Sequence, residues 1–544
     1  MKSAIILSAI VILGFFLRTL NINWDQSFHL HPDERFLTMV GNALSLPQSF
    51  SEYINPQQSP FNPINKGFPF FVYGVFPVIL NKIIALLLGN DTYNAFTIQG
   101  RILSAVFDSL IILFIYKTSK SLESYYKISP AIKYLASFLY AIAVLPIQLS
   151  HFFAVDTFLN FFMFASFYFS LLFYFKRRTR FIVFSALSLG LAFASKITAF
   201  FIVPLLLYFL VKGSWKKGVK KTIQYALIFL ITLYATIRLA NPYYFESSNI
   251  LNPAPSKQFV ASIQMLKSYE NKEVWYPPSV QWIDKPPIIF SFYNLALFGL
   301  GPGLFISFLL GFFILLKDFR KSLFTAISIL LIAFFFYQST QFAKTMRYFI
   351  FLYPFFALYA GVGLAYRNRI SKIILWILLL LCPLFFISIY LKDHTRVEAS
   401  KWIYQSVPNQ IVILNEHWDD PLPLQTKGAD KQLFIETLPV FDLDTKDKWV
   451  TMDTLLEKGD YLILSSNRGW GSIPTVPEKY PRMSKFYADL FEGKLPYKKI
   501  KEFTSYPSLR YVGIPLDIPD DFAEESFTVY DHPRVIIFQK EKPT

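Results

Sequence analysis

Residues 181–211, FIVFSALSLGLAFASKITAFFIVPLLLYFLV, make one apolar run that carries a single charge, Lys196. A spanning helix takes about 20 residues, so this run is too long for one crossing. Basic clusters flank it on both sides, KRRTR at 176–180 and KGSWKKGVKK at 212–221. Lys and Arg collect on the cytoplasmic side of a membrane. A run that leaves one such cluster and returns to another crosses twice, as two short helices. Its interruption at Ser195-Lys196 is the turn, and Lys196 then lies on the opposite face.

The rest of the chain follows the same logic. Of 544 residues, 53% are hydrophobic and 17% charged, with a mean hydropathy of +0.38. That is too apolar for a water-soluble protein of this length. Further apolar segments fall near 3–20, 68–88, 96–116, 132–149, 157–175, 222–239, 288–316, 322–338, 347–365 and 371–391. The net charge of +16 sits in short clusters between them, which is the positive-inside pattern and excludes nucleic acid as the partner. Those clusters are 117–133, 176–180, 212–221, 317–321 and 367–372. All five share the cytoplasmic side only if 68–88 does not cross. That segment carries Pro69, Pro77, Asn81 and Lys82, so it reads as an interfacial or re-entrant helix. Residues 3–20 have no small-residue cleavage site after them and read as a retained helix. The expectation is a polytopic α-helical membrane protein of about eleven transmembrane helices, N-terminus in and C-terminus out, with interfacial helices in the outer loop 22–95 and a second outer loop at 241–286. Cys382 is the only cysteine, so no disulfide forms within the chain.

After residue 391 the composition turns to charge, Pro and Trp. Runs such as QIVILN, DYLILSS and RVIIFQK read as strands and VEASKWIY as a helix. Residues 393–544 are therefore expected to be an extracytoplasmic α/β domain beyond a transmembrane domain of residues 1–392. GLGPG at 299–303 lies in an apolar run and reads as a helix break, not a phosphate loop.

This topology gathers ionisable residues on the outer face. Asp33 and Glu34 (HLHPDERFL, 29–37), Asp156 (HFFAVDTFLN), Lys196 (AFASKITAF) and Arg347 (KTMRYFIF) all land there, with Arg101 (TIQGRILSAVFD) near the outer end of its helix. His29, His31 and His151 accompany them. Ionisable side chains at membrane depth are costly and mark a site. Pro32 suits the first turn of a helix, whose dipole favours Asp33 and Glu34 there, so a plain helix start accounts for the pair equally well. Carboxylates suit a general base acting on a hydroxyl, and fixed cations suit a phosphate. Asp33, Glu34 and Asp156 also offer oxygen ligands for Mg²⁺ or Mn²⁺, although no dense ligand spacing is present. NEHWDDPLP at 415–423 reads as an Asp-stabilised turn.

An acidic pair after the first span, a second aspartate in a VDxF context, the lysine of GLAFASK, and Arg-Tyr before an aromatic span containing Pro354 follow in order. This set resembles the GT-C glycosyltransferases, family 39 type, which include protein O-mannosyltransferases and the lipid A aminoarabinose transferase. The strings HTRVEASKWIY, EHWDDPLP and ESFTVYDHP look like those of bacterial and archaeal relatives of that family. The resemblance implies a polyprenyl-phosphate sugar donor and inversion at the anomeric carbon. It implies Asp33 as general base or acceptor-orienting group with Glu34 beside it, Asp156 as the second acidic position, and Lys196 and Arg347 on the donor phosphate. Arg101 joins the phosphate group from topology alone. The carbohydrate-binding β-trefoil of the eukaryotic protein mannosyltransferases is missing.

The expected function is therefore a cell-membrane glycosyltransferase acting on a lipid, protein or glycan acceptor at the outer face. Two alternatives stay open. One is a flippase of lipid-linked sugars, which the lack of paired repeats disfavours. The other is an oligosaccharyl transferase or polymerase of envelope glycans.

Overall fold

The computed structural model describes residues 2–270, 276–317 and 322–541. Among them eight helices are long and apolar enough to cross a membrane: Lys2–Thr19, Tyr93–Tyr126, Val155–Lys176, Ile197–Lys217, Val219–Ala240, Ser322–Thr340, Met346–Ala365, and the stretch Arg369–Ser406. Two bent pairs and the 17-residue helix Thr179–Ser195 add to them. The chain is a multi-pass helical membrane protein carrying a C-terminal α/β domain. Of the basic cluster 317–321, residues 318–321 lie outside the described residues.

The run 181–211 divides where its charge sits. The helix Thr179–Ser195 stops, Lys196 is extended at φ −160° and ψ 137°, and a 3₁₀ turn Ile197–Ile202 leads into Val203–Ser214. Pro204 lies in the first turn of that helix, where its missing N–H costs nothing. The loop before residue 76 presses onto the break. Gly74 donates its N–H to the Ser195 carbonyl at 2.9 Å, and a Cβ there would lie 1.8 Å from the Ala194 oxygen. Only glycine allows this approach, and it sets Tyr73 beside the site.

In segment 68–88 only the 12 residues Phe76–Leu87 are helical, too few to span. Its polar residues turn inward. Asn81 donates to the Phe96 carbonyl at 2.8 Å and Lys82 pairs with Asp91 at 2.6 Å. The expected span 288–316 is broken at GLGPG. A π turn at Leu295–Gly299 and Gly301 at φ +73° bend Ile289–Gly299 away from Gly301–Leu316 by 113°.

The C-terminal sheet has the order β2-β1-β3-β5-β4, with β1 Ile411–Glu416, β2 Leu433–Leu438, β3 Tyr461–Leu464, β4 Tyr497–Phe503 and β5 Val535–Lys540. β1 runs parallel to β2 and β3, while β5 is antiparallel to β3 and β4. The three expected runs are β1, β3 and β5. The division at 392/393 is not clean in space, because the segment before β5 returns to the helices. Phe527 packs in the transmembrane core, Gln148 donates to the Phe527 carbonyl at 2.7 Å, and Tyr390 and Gln148 both donate to Asp531. His532 lies between Asp531 and Asp520. Burial opposes its charge, but the two carboxylates raise it to about 10, so it stays cationic at neutral pH.

Candidate active site

Asp33 and Glu34 are neighbours on the helix Pro32–Ala43, so their side chains diverge by about 100°. His31 caps that helix, its Nδ1 accepting from the Asp33 N–H at 3.2 Å. Burial between the rings of Phe152 and Tyr530 lowers His31 to about 4, so it stays a neutral acceptor. The cap aims Asp33 outward and Glu34 into the core.

Glu34 and Arg101 depart from their expected roles. Arg101 is fully buried and all five of its N–H groups are spent. Nε and Nη2 donate to the two Glu34 oxygens at 2.8 and 2.6 Å. Nη1 and Nη2 donate to Asp25 at 3.0 and 2.6 Å, and Nη1 also to the Ile22 carbonyl. Glu34 further accepts from the Phe153 N–H at 2.7 Å. No donor is left for a phosphate and no oxygen for a substrate. The pair is a strut tying Pro32–Ala43 to Tyr93–Tyr126. The expected Mg²⁺ or Mn²⁺ ligand set of Asp33, Glu34 and Asp156 is not assembled either, since Glu34 faces away and Arg347 bridges the other two. The cluster Asp25, His29 and Glu34 has ligand spacing, but Arg101 holds both its carboxylates. His151 stacks on Tyr390 at 3.6 Å, away from the site.

Asp33, Asp156, Lys196 and Arg347 do converge. Arg347 Nη2 lies 2.6 Å from Asp33 Oδ2, and its Nε 3.4 Å from Asp156 Oδ2. Lys196 Nζ donates to Asp156 Oδ1 at 2.8 Å and lies over the Tyr348 ring at 5.4 Å. Burial would raise the Asp33 carboxyl. Arg347, His31 and Lys196 outweigh it and hold Asp33 well below the usual carboxylate range. Its side chain is 26% exposed, open to a chamber.

Two chambers meet at Arg347. The larger, about 370 Å³, is lined by Asp33, Glu270, Glu524 and Tyr530 among others. The smaller, about 230 Å³, takes in Asp156, Lys196, Gln338 and Gln341. Tyr73, Arg347 and Tyr348 line both. From the smaller chamber an apolar groove of about 630 Å³ continues between Ile197–Lys217 and Ser322–Thr340, sharing Phe201, Phe334 and Tyr337 with it.

Two residues that contact this set escaped the sequence. Tyr73 hydrogen-bonds Asp33, and burial pushes its hydroxyl well above the usual range. It sits in an apolar stretch with no charge to flag it. Glu524 comes from the C-terminal region and caps the 3₁₀ turn Met346–Leu352 that bears Arg347. Its Oε1 and Oε2 accept from the Met346 N–H at 3.1 and 2.8 Å, and Oε1 also from Thr345 and Ser526 hydroxyls at 2.7 and 2.6 Å. Burial raises this carboxyl to about 7. ESFTVYDHP starts one residue after it, the nearest signal the sequence holds.

The cleft is thus overlaid by the short helices Pro32–Ala43 and Phe76–Leu87 at one end of a helical membrane domain, which a compact α/β domain follows. Residues 77–238 match the family model described as dolichyl-phosphate-mannose-protein mannosyltransferase. Among solved structures, the Archaeoglobus fulgidus oligosaccharyltransferase tethered with an acceptor peptide containing the NVT sequon is 12% identical, with a TM-score of 0.52 over 98% of this chain and 88% of that one. The same enzyme in complex with Zn and sulfate is 14% identical, with a TM-score of 0.52 over 92% and 72%. ArnT from Cupriavidus metallidurans bound to undecaprenyl phosphate is 11% identical, with a TM-score of 0.46 over 99% and 98%. No curated protein sequence matches the chain.

Proposed function

We propose that the protein is a membrane glycosyltransferase that moves a sugar from a polyprenyl-phosphate donor to an acceptor on the outer face, with inversion. The observation that carries this is the linked set Asp33–Arg347–Asp156–Lys196, placed where two chambers meet, the smaller of which continues into an apolar groove. The groove suits an isoprenoid tail, while Lys196 and Arg347 suit the phosphate. The sugar then lies toward Asp33. A hydroxyl of the acceptor attacks the anomeric carbon, its proton passes to the Asp33 carboxylate, and the polyprenyl phosphate leaves toward the two cations. Base and leaving group lie on opposite sides of the reacting carbon, so a single displacement inverts it. No step is assigned to a metal, because the residues expected to hold one do not form a ligand set.

Arg347 is neutralised by carboxylates before the donor arrives. A phosphate shares its guanidinium, loosens the contact with Asp33 and makes that carboxylate more basic. Donor binding thereby readies the base.

Asp33→Asn should lower kcat for transfer by about 10²- to 10⁴-fold, the range for loss of a general base. Lys196→Ala should cost about 10²- to 10³-fold, as for an electrostatic contact to the leaving group. Both are read with a radiolabelled polyprenyl-phosphate sugar on protein that elutes and melts like the wild type. Full transfer by Asp33→Asn would overturn the assignment of the base.

A further inference from the structure

We infer that the chamber between the two domains, walled by Tyr276, Trp418 and Tyr530, binds a neutral carbohydrate as the acceptor and presents its hydroxyl to Asp33. This rests on the transferase reading above and names the substrate class of its second site.

The chamber holds about 330 Å³, within the range of small-molecule sites. It is distinct from the two chambers at Arg347, yet Asp33, Tyr276 and Tyr530 line both it and the larger of those. Asp33 lines this chamber and Lys196 does not, so a hydroxyl bound here meets the base away from the phosphate contacts. The transmembrane domain supplies Asp33 and Arg35, and the α/β domain supplies Trp418, Asp419, Asp420 and Arg468.

Its charges are already spent on one another. Arg35 and Arg396 pair with Asp420 at 2.7 and 2.8 Å, Arg396 also pairs with Asp419, and Arg468 pairs with Glu525 at 2.8 Å. Among the described lining residues three guanidinia (Arg35, Arg396, Arg468) face three carboxylates (Asp33, Asp419, Asp420), so no net charge favours an anion or a cation. What remains is a set of polar edges, the lone pairs of carboxylates and the free N–H groups of guanidinia, which suits hydroxyls. The aromatic walls suit the C–H face of a sugar ring, whose partial positive charge complements the negative ring face. None of the residues lining the chamber belongs to β2 or β4, the two edges of the sheet, so an extended peptide has no strand to pair with here.

Trp418 adds an independent sign. Its backbone is left-handed at φ +71°, which is uncommon for a bulky residue. Arg468 holds it there by donating to its carbonyl at 2.8 Å, while the ring stays 42% exposed and edge-on to Tyr276 at 5.8 Å. Strain that displays an aromatic face at a chamber mouth fits a stacking platform.

The test uses the full-length protein in nanodiscs. Saturation-transfer difference NMR is recorded with mannobiose and with chitobiose as probes, and transfer from a polyprenyl-phosphate sugar is measured to the same disaccharides and to a Ser/Thr-rich peptide. A disaccharide should bind, and Trp418→Ala should weaken its binding by about tenfold, the effect of truncating one aromatic anchor. Phe434→Ala, at an exposed ring on edge strand β2, should bind like the wild type. Arg35→Gln provides a second variant if Trp418→Ala does not fold, and it should weaken binding in the same direction. Disaccharide binding that depends on Trp418, with no donor turnover, would support this site and remove the transferase reading. Transfer to the peptide without disaccharide binding, or binding unchanged in both variants, would overturn the carbohydrate assignment.

Discussion

Arg347 touches two carboxylates at once, and Glu524 fixes the turn that carries it. The cap works best ionised, because a proton on Oε2 would meet the Met346 N–H that it accepts from at 2.8 Å. Burial puts the change near pH 7. Transfer should therefore rise with pH through about 7, and Glu524→Gln should flatten that limb of the kcat profile while leaving an assembled protein. The stability sign is the reverse. A carboxyl raised from 4.5 to about 7 lets the unfolded chain ionise first, so the folded state loses stability between those values and is level above them. A thermal-melt series from pH 4 to 8 on wild type and Glu524→Gln reads this out. The sequence could place Asp33, Asp156, Lys196 and Arg347 on one face because each is a charge at membrane depth. It could not separate Asp33 from Glu34, or Arg101 from Arg347. Direction depends on a one-residue step around a helix and on a capping histidine, neither of which a charge pattern records.

At the scale of elements, the break at Lys196 was legible because basic flanks fix where a long apolar run must begin and end. The interfacial reading of 68–88 followed from the same parity; the helix there, Phe76–Leu87, has 12 residues. The sharp bend at Gly301 was legible as a break but not as a turn of 113°. β2 and β4 were missed because each is an edge strand, with a single buried residue and no clear alternation. The groove between Ile197–Lys217 and Ser322–Thr340 could not be read at all, since both helices are apolar and only packing leaves the space. Filling it with Ala333→Trp should raise the KM for a long-chain polyprenyl donor by about tenfold, the cost of displacing buried apolar chain, and leave a short-chain donor analogue less affected. Equal effects on both donors would mean the tail lies elsewhere.

Across the whole molecule, the cleft needs both domains. Arg347 and Asp156 come from spanning helices, Asp33 from a loop helix, and Glu524 from the C-terminal region, which is stapled to the helices through Asp531, the acceptor from Gln148 and Tyr390. That long-range return was invisible in the sequence, where 393–544 looked like a separate unit. The positive-inside pattern predicts that this assembly lies outside the cell. Single cysteines placed in 117–133 of a Cys382→Ser background should be shielded from a membrane-impermeant maleimide in intact cells, and cysteines in 430–431 should be labelled; the opposite pattern would invert the topology. The central claim is tested most directly by a cryo-electron microscopy structure of the full chain with a polyprenyl phosphate. The account predicts the phosphate against Lys196 Nζ and Arg347, the tail between Ile197–Lys217 and Ser322–Thr340, and Asp33 parted from Arg347. A phosphate bound elsewhere, with the 2.6 Å Asp33–Arg347 contact intact, would contradict it.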